Sequence, residues 1–178
     1  MRTLSIVLLA GTLAGCGLDN FDVELDEEAT VPGDPAANAV LDVLPFGTQF
    51  ENIDLLADEE LRDEGVDAGD IDSAKIDAMR LEVLDGSSFE DWLDDIAFYV
   101  EAEGLERRLV AEEHDIRAMA AGTGVLELDV TGVELKPYVS KPLTIVAEVA
   151  GRPPVEATRI RATIVVGIDA DVSNFLGL

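Results

Sequence analysis

The chain has 178 residues, 38 of them acidic against 12 basic, and a formal net charge of −26 at pH 7. That balance excludes nucleic acid as a partner, because phosphates need basic patches, and it excludes adhesion of the protein body to an anionic bilayer. The length suits one domain with a real core and rules out two large ones.

Met1-Arg2-Thr3 supplies one positive charge, Leu4 to Ala10 a short apolar run, and Gly11 to Gly15 a small, flexible stretch. This is the layout of an export signal. The apolar run is far shorter than the roughly 20 residues of a membrane-spanning helix, so no transmembrane anchor is expected. The run ends in Leu13-Ala14-Gly15-Cys16.

At these residues the chain resembles bacterial lipoprotein precursors, whose lipobox reads Leu, small residue, Gly or Ala, Cys. The resemblance implies cleavage before Cys16, a diacylglycerol on its thiol and acylation of the new amino group. One acyl chain binds a bilayer only marginally, at about 0.8 kcal/mol per buried methylene, whereas two or three anchor it durably. Gly17, not Asp, follows the cysteine, and in the enteric sorting pattern this favours the outer membrane. The rival reading is an ordinary secretory signal with a chance cysteine. Cys16 is the single cysteine, so a disulfide within the chain is excluded.

The expected organisation is a signal over 1–15, a lipidated tether over 16–20 and a single domain over 21–178. Phe21, Val23 and Leu25 alternate with Asp22, Glu24 and Asp26, the period of a strand with one face on the core. Thr30 to Pro35 reads as a turn. Residues 36–50 admit two readings, a helix capped by Asp34 and ended by Pro45, or a pair of short strands. Asp58 to Gly65 reads as a short helix, and Val66 to Asp72 as a loop.

Strands follow at Met79 to Val83, Ile96 to Val100, Leu105 to Ala111 with Arg107 and Arg108 near its centre, Leu126 to Val130, Leu143 to Val149, and Arg159 to Val172. Glycine-containing turns separate them. Seven to nine short strands without regular helices predict an all-β fold. The expected form is an antiparallel β-sandwich, immunoglobulin-like, with one or two short helices in the N-terminal half. The strand order is not legible. Trp92 has no disulfide to pack on, unlike its counterpart in antibody domains.

Chemical motifs are scarce. His114, the single histidine, sits in Glu112-Glu113-His114-Asp115, where its neighbours favour the protonated form and a solvated turn. No Gly-x-Ser-x-Gly elbow, Walker loop or dinucleotide glycine pattern follows the signal, and one histidine leaves zinc few ligands. Calcium asks only for oxygen ligands, and three groups offer them: Asp67, Asp70 and Asp72; Asp91, Asp94 and Asp95; and Asp169, Asp171 and Asn174. None has the EF-hand spacing, and each doubles as ordinary solvated surface. Val146 and Val165 sit at outward positions of their strands, marking either a partner surface or a second core layer.

The sequence therefore predicts a lipid-anchored acidic protein of the bacterial envelope with a binding or structural, non-catalytic role and no cofactor. Its partners are the membrane, through lipid on Cys16, and a protein of unspecified identity. A calcium-dependent adhesion or assembly module is the first alternative, and a carboxylate-based envelope hydrolase the second. With only Lys75, Lys136 and Lys141 as lysines, the surface resembles those of proteins working in salt. There screening acts over about 3 Å at 1 M instead of about 10 Å at 0.1 M.

Overall fold

The computed structural model describes residues 20–34, 36, 41, 44, 45 and 50–171. The expected signal over 1–15, Cys16, most of the expected tether and Asn174 lie outside them. The described chain forms β1 (Asn20–Val31), α1 (Glu59–Asp63), β2 (Ile71–Asp85), β3 (Leu93–Ala102), β4 (Arg108–Glu113), β5 (Val125–Glu127), β6 (Asp129–Val130), α2 (Lys136–Val139), β7 (Leu143–Gly151) and β8 (Thr158–Ala170). Two four-stranded sheets result, ordered β1-β8-β2-β5 and β6-β4-β3-β7, with every pairing antiparallel.

The protein is thus an antiparallel β-sandwich. The order inside the sheets refines the immunoglobulin-like expectation. In that fold the first strand pairs with the second, whereas here β1 lies against β8 over its whole length, from Asn20↔Asp169 to Val31↔Thr158. First strand thus lies beside last, and four of the seven steps between successive strands pass from one sheet to the other. The reason lies in β8, the strand of longest alternation. It places Ile160, Ala162, Ile164, Val166 and Ile168 inward, all buried, and satisfies both of its edges with the two other long strands, β1 and β2.

Alternation also explains the core. Phe21, Val23, Ala29 and Val31 of β1 and Met79 and Leu81 of β2 belong to one buried cluster, to which the opposite sheet adds Leu93, Ile96, Phe98 and Val100. Trp92 is fully buried, 5.8 Å from Phe89 between ring centroids, and its indole N–H donates to Ser87 O at 3.3 Å. The pattern also puts Glu27 inward, at 8% exposure.

Several boundaries move. Thr30 and Val31 belong to β1, and Asp72 to β2. The strand expected at Leu105–Ala111 begins at Arg108 and runs to Glu113, leaving Arg107 in the preceding turn. The 126–130 segment splits between sheets. Leu128 N–H donates to Met79 O at 2.9 Å on one side, and Thr131 N–H to Val110 O at 2.9 Å on the other. The helix at 58–65 is present as α1; Asp58 caps it, and Gly65, at φ 70, stops it. The second helix, α2, falls in the C-terminal half, not the expected N-terminal half, where Pro137 opens its first turn.

Of the described residues between Asp34 and Ile53, Leu41 and Ile53 reach the outer edge of β7, Leu41 N–H bonding Gly151 O at 3.4 Å. Asp34 N–H bonds Pro154 O at 2.8 Å, and Ile53 exchanges two bonds with Leu143 at 2.7 and 2.9 Å. The two readings of 36–50, a helix or paired strands, fall mostly outside the described residues, which there are only 36, 41, 44, 45 and 50.

Candidate functional site

The pairing of β2 with β8 brings together two carboxylate groups that are far apart in sequence. Ile71 faces Ala170, and Asp171 N–H donates to Asp70 O at 2.7 Å. Asp67, Asp70, Asp72, Asp169 and Asp171 therefore share one end of the first sheet. Within the 67–70 turn the groups serve each other: Asp67 N–H donates to the Asp70 carboxylate at 3.0 Å, and Asp70 N–H to Asp67 O at 2.9 Å. Asp72 and Asp169 stand exposed on their strands. Among the described residues no three His, Cys, Asp or Glu side chains are grouped to hold a metal ion.

The third acidic group disperses into ion pairs. Asp94 meets Arg117 Nε at 2.5 Å, and Asp95 accepts from the Asp115 N–H at 3.2 Å and contacts His114 Nδ1 at 3.1 Å. Glu112 holds the other ring nitrogen at 3.2 Å. These hydrogen bonds, Asp95 first and Glu112 second, raise the His114 pKa above 6.5 against an opposing desolvation. A raised pKa stabilises the fold below the unfolded value and loses that contribution as pH climbs through the folded value. The imidazole should therefore titrate above 6.5 by NMR and move back toward it in Asp95→Asn; a wild-type value at or below 6.5 would contradict the clamp.

Glu134 is the structural counterpart. Burial pushes its carboxyl up, but bonds from Ala74 N–H at 2.8 Å, Lys136 N–H at 2.9 Å and Ser73 Oγ at 2.8 Å, with the nearby Lys75 charge, hold it below the usual range. It ties the 131–138 connection to β2.

An open groove of about 570 Å³ runs along Asn52, Glu101, Glu103, Lys141 and Thr144. Lys141 Nζ donates across it to Glu103 O at 2.6 Å. Beside it Arg107 lies 3.9 Å over the Tyr99 ring and pairs with Glu101 at 3.1 Å and Glu148 at 2.7 Å. One guanidinium thus occupies two carboxylates. The sequence missed the network because Tyr99, Arg107 and Glu148 meet only through the β3–β7 pairing and the turn before β4.

Val146 and Val165 are half-buried on outer faces, Val146 next to Tyr99 and Val165 between Glu24 and Ala78. No second layer of the described chain covers them. The most distinctive surface is the outer side of β1, where Asp22, Glu24, Asp26 and Glu28 stand exposed in a row. Arg161 on β8 pairs with Glu28 at 2.6 Å, and Thr163 bonds Asp26.

No family model matches this sequence, and no curated protein does either. Among solved structures, a chain of turnip yellow mosaic virus is similar at 7% identity and a TM-score of 0.33, covering 96% of this chain and 90% of that one. A chain of desmodium yellow mottle tymovirus gives 8% and 0.29 over 96% and 93%. One of mud crab tombus-like virus gives 9% and 0.24 over 89% and 94%. At these scores the likenesses carry no argument about this chain.

Proposed function

We propose that this protein is a lipid-anchored, acidic component of the bacterial envelope, held to the outer membrane through Cys16, with a binding or structural role. The observation that carries this reading is Leu13-Ala14-Gly15-Cys16 behind a short apolar run. The fold suits it. Cys16 precedes the first residue of β1 by so little chain that the reach is at most about 14 Å. The strand then leads away from the anchor for roughly 40 Å at about 3.3 Å per residue. The turns beyond Val31, Asp85 and Gly151 stand farthest from the lipid, and Val155 among them is 68% exposed.

Replacing the thiol tests the proposal. Cys16→Ser should move the protein from the detergent phase to the aqueous phase and abolish incorporation of a fatty-acid label, while thermal melting of the domain stays unchanged. A variant that still partitions and labels like the parent rules the anchor out.

A further inference from the structure

We infer that the free edge of β1 is a docking site for an extended, basic segment of a partner protein, which would add to the first sheet as a further strand. Among the described residues the sandwich has four edges, and three are closed or too short to use. β5 spans three residues and β6 two. The outer edge of β7 takes hydrogen bonds from Leu41 and Ile53. β1, by contrast, is 12 residues long and among the described residues pairs only with β8. In an antiparallel strand every second residue turns its N–H and C=O to the other side, so β1 presents a long row of donors and acceptors.

An edge of that length is a template for pairing, and proteins commonly blunt it with charge. The charge on β1 has one sign: Asp22, Glu24, Asp26, Glu27 and Glu28 are acidic and none of the 12 residues is basic. Four of these acids, Asp22, Glu24, Asp26 and Glu28, share the outer face. A second copy adding to this edge antiparallel would set carboxylate against carboxylate, which is destabilising. A strand with cations at alternate positions meets the opposite result. The molecule already contains an instance of such a partner, since β8, on the other side of β1, offers Arg161 to Glu28 and Thr163 to Asp26 while its apolar residues face inward. The edge thus rejects its own kind and selects a basic strand, in the manner of β-strand addition. This inference does not depend on lipid at Cys16.

The probe is a peptide of about ten residues alternating Arg with Thr, a β-prone spacer, added to the full chain at moderate salt. Hydrogen exchange should slow at alternate amides of β1 and not along β5 or β7. The same peptide N-methylated throughout should bind at least about tenfold more weakly, because it keeps the charge and loses the strand hydrogen bonds. Asp22→Lys/Glu24→Lys, both at exposed positions, should weaken the unmodified peptide by a similar factor without lowering the melting temperature. Equal affinity for the two peptides, protection confined to other strands, absence of binding, or self-association of the chain through β1 would each overturn the inference.

Discussion

Ile164→Asp is expected to leave the domain largely unfolded at room temperature. Ile164 is fully buried at the middle of β8, between Leu25 of β1 and Met79 of β2. Removing it forfeits about 1.5–3 kcal/mol of apolar burial, and the new carboxylate must either stay ionised without a partner or take up a proton. Either course adds several kcal/mol, against a total stability of about 5–15 kcal/mol for a domain of ordinary size. Ile164→Val, by comparison, should cost about 0.5–1.5 kcal/mol. Circular dichroism and urea melts of the pair decide the matter. A folded Asp variant with a near-native midpoint would mean that β8 is not the shared centre of the first sheet.

Gly86→Val carries the next largest effect, through backbone geometry. Gly86 sits at φ 104, and a Cβ built there would lie 2.6 Å from Thr158 Oγ1, 2.8 Å from Thr158 Cα and 2.9 Å from Ala157 O. Thr158 cannot move aside, because it is fully buried, opens β8, and uses its hydroxyl to accept from Ser87 N–H at 3.0 Å and donate to Glu156 O at 3.2 Å. Strain and clash together should cost more than about 3 kcal/mol. Gly122 provides the control, at φ 85 with nothing within 4 Å of its Cβ position. Gly122→Ala therefore pays only the left-handed conformation, about 1–2 kcal/mol. Denaturant midpoints that fall equally in the two variants would show that packing against Thr158 contributes nothing.

The strands were legible where apolar residues recur at every second position and leave one face apolar throughout. Phe21 to Leu25, Ile96 to Val100 and Ile160 to Ala170 alternate without interruption, and the period of two is fixed by the pleat itself. Legibility fell where one segment serves two sheets. Leu126 to Val130 reads as a single strand, yet Leu128 turns its N–H to Met79 and the next residues leave for the other sheet. It fell again at Arg107, whose partners Glu101 and Glu148 are brought to it by pairing. The calcium candidates follow the same logic. Asp67, Asp70, Asp72, Asp169 and Asp171 do converge on one end of a sheet, but convergence of backbones did not group the side chains as a metal site.

By itself the sequence determined the sandwich class and the acidic surface, and it supplied the Leu13-Ala14-Gly15-Cys16 run on which the proposed anchor rests, because each is local information: alternation, a count of charges, and a run of contiguous residues. Only the tertiary structure decided that β1 lies beside β8, that Leu41 and Ile53 bond the edge of β7, and that among the described residues β1 keeps a long acidic edge. Strand order depends on which long strands can satisfy both edges of β8 while burying the same face. That is a competition among distant segments, which no local pattern encodes.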